Sequence, residues 1–438
     1  MNVGLAVSHF PPRSTAGAEG YAHRVAKAML ARGHAVNVIC VERIDAGPAN
    51  GVSWTDEVYD GVPVRRLSFN MAAAPDRFRW EYDNPWIGAH MQQWLAEKGP
   101  DVFHLVSGYL MSASSLQAAY SRRLPSVVTL TDFWFLCSRI TLLRTNGDIS
   151  GLPLRAETCV RCLGETKRRY RLPGRWFPGL MDGYWHAQST RIRQLEERLE
   201  CLRESLHQAD VVISPSRFVE KMYRDSGFGS DNLRFSRHGR DFPHLTPALL
   251  QKSPSRQLRV AYLGQVARHK GVHVLLDAVR RLGELPLAAT VYGDLQAFPQ
   301  YVRQLRQLAA DDPRIDLAGP YQGGPEGLTT VLRNADAVVV PSLWYENCPF
   351  VILEAFAHRT PVVATNLGGM AELVQHGRNG LLFRLGDAAD LARQLRRLQE
   401  EPGLLSALRD GIEPIRTGTN EMDELEGVYR QLAQGKPA

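Results

Sequence analysis

The stretch ADAVVVPS at residues 335–342 nearly repeats ADVVISPS at residues 209–216. Each is an apolar run that follows an aspartate and ends at a proline and a serine. Short apolar runs without polar alternation are typical of strands covered on both faces, as in parallel sheets. Because the two copies lie in different halves of the chain, they predict two doubly wound domains that use equivalent edge units.

Similar apolar runs alternate with helical patterns along the whole chain, which predicts an α/β architecture with parallel sheets. The strands predicted in the first half are 3–8, 35–40, 101–107, 125–130 and 210–214. Those predicted in the second half are 258–264, 288–292, 336–341, 361–364 and 380–383.

The length of 438 residues exceeds what one ordinary core accommodates and predicts two domains. A segment rich in Pro, Ser and charge at 236–256 is predicted as the linker, so the domains are 1–240 and 241–417. The first includes a basic insertion at 150–186, and we expect the last helical pattern, within 418–438, to pack back on it.

The composition, with 44% hydrophobic and 22% charged residues, is that of a soluble globular protein. A net charge of +6 does not by itself imply nucleic acid, which we do not expect as a partner; it suits phosphate ligands or an anionic membrane equally well. Six cysteines, no signal-peptide pattern and no long apolar run predict a cytoplasmic protein without membrane spans, with peripheral contact at the inner membrane face as an option.

The basic insertion carries seven Lys or Arg against two Glu between residues 151 and 180, with Trp176 and Phe177 beside them. A charge run of this kind is usually a solvated surface, which is the interpretation we favour. The alternative is a patch, over 155–177, for an anionic acceptor or a membrane surface. Cys159 and Cys162 form one CxxC there with Cys137 upstream, but ordinary thiols are favoured over a structural zinc, so no metal is predicted.

Two glycine-containing turns follow predicted strands. The first, AGAEG at 16–20, contains Gly17 at a helix start, where backbone amides can approach an anion, but it is not GxGxxG. The second, GQVARHKG at 264–271, brings Lys270 before a helix, where it can neutralise a diphosphate. A solvated basic loop is the alternative, but ligands of α/β proteins bind beyond the carboxyl ends of strands, which favours a site.

The stretch SLWYENCPFVILEAF at 342–356 holds Glu346 and Glu354, eight positions apart. With Asn347 as N-cap and Pro349 early in the helix, Glu346 lies in the preceding loop and Glu354 in the second turn. The simple alternatives are a solvated acid for Glu346 and an arginine ion pair for Glu354. We expect instead that both accept hydrogen bonds from a polyhydroxylated ligand. The next glycine turn, TNLGGMAEL at 365–373, opens another helix.

Together these motifs resemble family-4 retaining glycosyltransferases of the GT-B fold, which have two Rossmann-like doubly wound domains facing a cleft. The match is densest at 341–383 and continues through 264–278, 209–218 and TLTDFWFLC at 129–137. The resemblance implies a hexosyltransferase-type enzyme that moves a sugar from a UDP- or GDP-sugar, with retention, to a glycan or lipid-linked acceptor in polysaccharide or glycolipid biosynthesis. It implies no cofactor and no metal.

The resemblance also implies roles for single residues. Glu346 would hold hydroxyls of the donor sugar, Glu354 would accept those of the ribose, and Lys270 would bind the diphosphate. The resulting site has Glu346, Lys270 and Asp132 as catalytic residues, and Gly17, Gln265, Arg268, Lys270, Glu346, Asn347, Cys348, Pro349, Phe350, Glu354, Gly368 and Gly369 as donor-binding residues.

The chain departs from the family pattern at two positions. Many relatives have arginine where this chain has Gln265, and Arg268 is the candidate replacement for that charge. Many also have histidine where Thr131 precedes Asp132, with His104 as an alternative polar group or a strand histidine satisfied by the protein. These departures keep open a catalytically silent nucleotide-sugar or glycan-binding protein; a GT-B sugar-nucleotide epimerase is the other alternative.

Overall fold

The computed structural model describes residues 1–14 and 17–435, except the side chains of Arg175 and Pro178. Ala16 of the first glycine turn, the Arg175 side chain of the basic run and the last residues of the 418–438 segment therefore lie outside the described part. The chain forms two compact units. The first comprises Met1–Ser236 and the chain from Glu421 onward, and the second comprises Arg237–Asn420.

The strands and helices alternate along both units. The strands are β1 (Asn2–Val7), β2 (Ala35–Arg43), β3 (Ser53–Tyr59), β4 (Val62–Ser68), β5 (Val102–Leu105), β6 (Ser126–Thr129), β7 (Val211–Ser214), β8 (Leu233–Phe235), β9 (Leu258–Leu263), β10 (Leu287–Tyr292), β11 (Ile315–Gly319), β12 (Ala337–Val340), β13 (Val362–Thr365) and β14 (Gly380–Phe383). The α-helices are α1 (Gly17–Ala31), α2 (Arg77–Trp80), α3 (Pro85–Lys98), α4 (Ser114–Ser121), α5 (Ala156–Gly164), α6 (Arg168–Trp176), α7 (Pro178–His186), α8 (Ser189–His207), α9 (Arg217–Asp225), α10 (Pro247–Leu250), α11 (Val272–Arg281), α12 (Pro299–Ala309), α13 (Gly324–Asn334), α14 (Phe350–Ala357), α15 (Gly368–Leu373), α16 (Ala388–Glu400), α17 (Leu404–Asp410) and α18 (Gly418–Ala433).

The first unit is built on a sheet with the order β3-β4-β2-β1-β5-β6-β7-β8. Its neighbouring strands are parallel except β3 and β4, which form an antiparallel hairpin at one edge. The second unit has a sheet with the order β11-β10-β9-β12-β13-β14, and all its pairs are parallel. The predicted α/β architecture with two parallel-dominated sheets is confirmed.

The core of the first unit lies between β1, β2 and the helices that cover them. Val25 and Met29 of α1 pack there, and so do Met422, Leu425 and Tyr429 of α18. The last helix of the chain thus supplies apolar side chains to the first unit. In the second unit, the β9 and β10 strands bury Val260 and Val291 against α11 and α16.

The near repeat of 209–216 at 335–342 does not mark equivalent strands. In the second sheet β12 lies next to the central strand β9, whereas β7 lies three places from β1 in the first sheet, and neither is an edge strand. The expectation of equivalent edge units is therefore wrong. The two stretches share a pattern because each is a strand buried on both faces and followed by a turn.

Four strands were not predicted from the sequence: β3, β4, β8 and β11. The residues of β3 are mostly exposed and those of β11 alternate between exposed and partly buried, so neither forms a continuous apolar run. The predicted insertion also differs, because 156–186 folds into α5, α6 and α7 around a small apolar cluster that includes Val160, Met181 and Trp185.

The segment predicted as a linker belongs largely to the second unit. Arg237 forms an ion pair of 2.6 Å with Glu372, and Lys252 donates to the carbonyl of Leu332 at 2.6 Å. Its polar composition therefore reflects contacts with the surface of the second unit rather than free solvation.

Candidate functional site

The sheet of the second unit brings two loops together. Strands β9 and β12 are parallel neighbours, so the loops that follow them leave the same edge of the sheet. The amide of Leu343 donates to the carbonyl of His269 at 2.8 Å and joins the two loops directly. Lys270 lies on the first loop and Glu346 on the second. The topology thus places a cation and an acid from distant parts of the sequence side by side.

The carboxylate of Glu346 receives three hydrogen bonds, all on Oε1. The donors are Lys270 Nζ at 2.7 Å, Ser342 Oγ at 2.7 Å and Trp344 Nε1 at 2.8 Å. The side chains of Lys270 and Glu346 are 23% and 11% exposed. Within the described part of the chain no donor reaches Oε2, so that atom remains available for a further hydrogen bond.

The pair has a defined electrostatic character. Burial favours the neutral acid, but the ammonium of Lys270 and the three donors outweigh this effect and hold the pKa of Glu346 below its usual value. Lys270 Nζ also lies 4.8 Å from the centre of the Trp344 ring, a cation–π distance. His269 packs against the same ring, and burial, then the charge of Lys270, lowers the pKa of His269 to about 4. The site thus combines one fixed positive charge with a neutral imidazole at neutral pH.

The second acid, Glu354, has a different partner. Its Oε1 atom lies 2.5 Å from Nη2 of Arg240, and the side chain of Glu354 is 15% exposed. The guanidinium of Arg240 lies 4.8 Å from the centre of the Phe350 ring. The arginine ion pair, the simple alternative for Glu354, is therefore present, and binding of ligand hydroxyls by the two acids stays a prediction. Each carboxylate thus has a cationic partner within the second unit on its Oε1 atom, because taking an unpaired carboxylate out of water is costly.

The helix after Glu346 begins later than predicted. Pro349 is the N-cap of α14 and Phe350 its first residue, so Asn347 and Cys348 lie in the loop rather than at the cap. Glu354 is in the second helical turn, as predicted. The physical reason is that Pro349 has a φ of −70° and an extended ψ of 109°, which suits a proline just before a helix.

The glycine turn before α15 supports the Glu346 loop rather than standing open. Gly368 has a left-handed φ of +54°, which favours glycine. The amide of Gly369 donates to the carbonyl of Glu346 at 3.0 Å, and a Cβ on Gly369 would lie 2.2 Å from the carbonyl oxygen of Asn347. The prediction that this amide binds diphosphate is corrected: the protein's own loop uses it.

The remaining predicted residues of the second unit lie on the loop after β9. Gln265 and Arg268 are exposed, and the carbonyl of Gln265 accepts a hydrogen bond of 2.7 Å from the Tyr262 hydroxyl. Arg268 begins a short 3-10 turn that ends at Lys270. The left-handed φ of +73° at Gly271 and the 1.9 Å that would separate its Cβ from the Pro341 carbonyl oxygen make glycine necessary there.

A separate group of polar residues lies in the first unit, at the ends of β1, β5 and β6. Ser107 Oγ donates to Asp132 Oδ2 at 2.6 Å, and the Trp134 amide donates to Oδ1 at 2.8 Å. Burial raises the pKa of Asp132, the two hydrogen bonds oppose this, and the charge of Glu19 adds to it. Glu19 itself is 7% exposed and accepts from Ser8 Oγ at 3.0 Å.

Other predicted residues of the first unit have structural partners or surface positions. Gly17 is the exposed first residue of α1. Thr131 donates through Oγ1 to the carbonyl of Val106 at 2.7 Å. His104 is fully buried between the Tyr429 hydroxyl, 2.5 Å from Nδ1, and Thr129 Oγ1, 2.8 Å from Nε2. His104 is therefore the satisfied strand histidine of the two alternatives, and not a group that reaches a ligand.

Residues outside the predicted set complete both sites. Ser342 and Trp344 lie in the quoted stretch beside Glu346, but serine and tryptophan carried no signal without the geometry. Arg240 reaches Glu354 from 114 positions away, Ser107 reaches Asp132 from the loop after β5, and the charge of Glu19 acts on Asp132 from α1. Only the fold brings such residues together.

The described residues contain no group of three or more His, Cys, Asp or Glu side chains that could hold a metal ion. Cys137, Cys159 and Cys162 belong to this part of the chain, and their thiols are free. In the same part of the chain, none of the helices combines the length and the apolar character that crossing a bilayer requires.

Two family models match the chain. One, described as "Glycosyl transferase 4-like domain", matches residues 16–239, and the other, "Glycosyl transferases group 1", matches residues 257–401. Among curated proteins, a D-inositol 3-phosphate glycosyltransferase of Pseudarthrobacter chlorophenolicus is 32% identical over 206 residues, covering 44% of this chain and 48% of that protein. A glycogen synthase of Mycobacterium tuberculosis is 26% identical over 410 residues, covering 92% of this chain and 87% of that protein. The chain thus spans about half the length of the first relative but most of the second.

Solved structures with the same fold cover nearly the whole chain. The crystal structure of Anabaena HepE in complex with UDP has a TM-score of 0.68 at 17% identity and covers 98% of this chain and 100% of that one. A sucrose-phosphate synthase of Thermosynechococcus elongatus has a TM-score of 0.66 at 18% identity, with coverage of 99% and 100%. These likenesses show the predicted GT-B fold.

Proposed function

The chain belongs to the glycosyl transferase 4-like family, and on that premise we propose that it transfers a sugar from a nucleotide sugar to a glycan or a lipid-linked acceptor, with retention at the anomeric carbon. The observation that carries the proposal is the contact between Lys270 and Glu346, with 2.7 Å between Nζ and Oε1. It places a positive charge and an acid with one uncommitted oxygen at the carboxyl edge of the sheet, where α/β proteins bind nucleotides.

The negative charge on the departing diphosphate is what the enzyme most needs to stabilise. When the bond between the anomeric carbon and the phosphate oxygen breaks, positive charge develops on the sugar and negative charge on the diphosphate. A cation already in place stabilises that charge without reorganisation. In this proposal Lys270 turns from Glu346 to the diphosphate, and the indole of Trp344 continues to support its ammonium through a cation–π contact.

The two acids have separate tasks in the proposal. Glu346 accepts hydrogen bonds from hydroxyls of the donor sugar, with Oε2 as the atom that the protein leaves available. Glu354 accepts those of the ribose, and Arg240 fixes the orientation of its carboxylate. Asp132, which belongs to the first unit, is the third catalytic residue of the proposal. The HepE structures are complexes with UDP and with UDP-glucose, which supports a UDP-sugar as the first donor to test and a GDP-sugar as the second.

In this proposal the reaction needs no metal, and the protein acts in the cytoplasm. Lys270 supplies the charge that a divalent cation would otherwise bring to the diphosphate. The sparse cysteine content, six in the whole chain, suits a reducing compartment. Turnover that is unaffected by EDTA would support this part, and turnover abolished by EDTA and restored by Mg²⁺ or Mn²⁺ would contradict it.

The test is release of nucleotide from a panel of UDP- and GDP-sugars, with candidate acceptors present. We expect turnover with one donor. The Lys270→Ala variant should lose this turnover, and the Cys159→Ser variant should keep it. Binding of no nucleotide to the wild type in calorimetry would overturn the proposal.

A second candidate is a nucleotide-sugar-binding protein without turnover. The observation that favours it is Thr131, which stands where the resemblance places a histidine and whose hydroxyl is engaged by the Val106 carbonyl. Tight UDP or UDP-sugar binding without release from any donor, in the wild type and in Thr131→His alike, would select this candidate.

A further inference from the structure

The helices α6 and α7 expose an unusual row of large apolar side chains. The exposed fractions are 45% for Leu172, 74% for Trp176, 63% for Phe177, 76% for Leu180 and 38% for Tyr184. Single exposed apolar residues are ordinary on protein surfaces, but a contiguous group marks an interaction site. Here five such residues lie within one stretch of two short helices.

Helical spacing places the exposed side chains of each helix on one side of that helix. Leu172 and Trp176 are four positions apart on α6, and Leu180 and Tyr184 are four apart on α7, with Phe177 at the junction. Met181 and Trp185, each one position after a residue of the row on α7, are buried, with exposed fractions of 8% and 1%. Met181 and Trp185 therefore anchor α7 in the small apolar cluster of the insertion, while the apolar row remains exposed.

Positive charge lies beside this row and is not neutralised. Lys167, Arg168, Arg169 and Arg171 are all exposed, and among the described residues no carboxylate lies within ion-pair distance of any of them. The nearby acids Glu165 and Asp182 both pair with Arg161. The surface of α6 and α7 thus combines an apolar row with a free cationic margin.

We propose that this surface, residues 167–184, docks on the surface of an anionic lipid bilayer. Tryptophan, phenylalanine and leucine with Lys and Arg at their margin are the composition of segments that lie in a membrane interface. The apolar row would enter the boundary between head groups and acyl chains, and the four cations would bind acidic head groups. The uncompensated charge favours this occupant over a second copy of the chain, whose identical cations would repel. The proposal goes beyond the proposed sugar transfer and does not rest on it.

The experiment is co-sedimentation of the full chain with vesicles of phosphatidylcholine alone or with one quarter phosphatidylglycerol. We expect the chain to bind the anionic vesicles at least tenfold more tightly than the neutral ones. Binding to the anionic vesicles should weaken as the salt concentration rises. The triple variant Trp176→Ser, Phe177→Ser, Leu180→Ser and the triple variant Arg168→Gln, Arg169→Gln, Arg171→Gln should each reduce binding at least tenfold.

Matched controls come from exposed apolar residues of the same unit. Val58→Ser, at a position 70% exposed, and Tyr120→Ser, at one 56% exposed, should bind anionic vesicles like the wild type. Thermal unfolding of each variant shows that it is folded. The proposal is overturned if the wild type does not bind anionic vesicles or if folded triple variants bind unchanged. It is also overturned if the apolar triple variant abolishes self-association of the wild type while leaving vesicle binding intact.

Discussion

Lys270 Nζ lies 2.7 Å from Glu346 Oε1, although the two residues are 76 positions apart and follow different strands. The contact depends on β9 and β12 being neighbours in the sheet. Because Ser342 and Trp344 also donate to the same oxygen, the carboxylate is held in one position before any ligand arrives. The site is thus organised by the protein itself.

Removing the charge of Lys270 should weaken both the fold of the second unit and nucleotide binding. In Lys270→Met the carboxylate of Glu346, 11% exposed, loses its cation, so we expect the free energy of unfolding to fall by about 1–3 kcal/mol. UDP affinity should fall at least tenfold. Urea denaturation and calorimetry measure the two effects.

The double variant Lys270→Met, Glu346→Gln tests whether the two residues act as a pair. Because a neutral amide no longer requires the cation, the double variant should lose less stability than the sum of the two single variants. If the losses in unfolding free energy of the two single variants add up to that of the double variant, the contact contributes nothing to stability.

The two acids should differ in their effects on activity. Glu354→Gln should weaken UDP binding about fivefold to tenfold, because an amide accepts weaker hydrogen bonds than a carboxylate. Glu346→Gln should mainly slow transfer and leave UDP binding within about threefold. Glu372→Gln is the matched control, since Glu372 is 16% exposed and pairs with Arg237 in the same unit. Equal effects of all three variants on UDP affinity would contradict the assignment.

A methyl group at Gly369 should displace the loop that carries Glu346. Its Cβ would lie 2.2 Å from the carbonyl oxygen of Asn347 and 2.6 Å from that of Glu346. Gly369→Ala should therefore destabilise the second unit by about 1–3 kcal/mol and weaken UDP binding. Gly427→Ala, in α18 with no atom within 4 Å of the new Cβ, should stabilise by about 0.5–1 kcal/mol. Thermal shift and calorimetry compare them, and unchanged UDP binding in Gly369→Ala would refute the supporting role of this turn.

His104 should make the first unit sensitive to acid. Burial lowers the pKa of His104 to about 3, whereas an unfolded histidine titrates near its reference value of 6.5. Between these values the unfolded chain binds a proton that the folded chain excludes, so stability falls as the pH falls, by about 1.4 kcal/mol per pH unit. Urea denaturation of the wild type at pH 7 and pH 5 should show this contribution.

Variants separate His104 from other titrating groups. His104→Gln should reduce the pH dependence between pH 7 and 5, whereas His207→Gln, at an exposed position on α8, should not. Tyr429→Phe keeps the histidine while removing its partner hydroxyl, and should retain the pH dependence. The same slope in His104→Gln as in the wild type would contradict this prediction.

The alternation of apolar runs and helical patterns was enough to predict both parallel sheets, because strands covered on both faces leave a continuous apolar run in the sequence. The predicted range 380–383 agrees with β14, and β9 lies within the range predicted for it. Strands at a solvated edge leave no such run: β3 is mostly exposed and was missed. The helices of the insertion were missed for a related reason, since their apolar side chains are divided between a small buried cluster and an exposed row.

The candidate site was predictable only in part. Glu346, Glu354 and Lys270 stand out because acids within an apolar stretch and a lysine before a helix are chemically conspicuous. The partners of these residues are not conspicuous: Arg240 lies in a segment predicted as a linker, and the Gly369 amide is used by the Glu346 loop. Side-chain and backbone partners depend on distances, which sequence patterns do not contain.

The sequence by itself determined the alternating α/β pattern, the division into two halves and the acids and lysine that define the site, because these follow from local periodicity and residue chemistry. Only the tertiary structure decided the strand order, and with it which loops meet. It therefore decided that Lys270 faces Glu346, that Arg240 faces Glu354, and that His104 lies buried rather than at a ligand. Hydrogen bonds and ion pairs act over a few ångströms, and only folding brings distant residues that close.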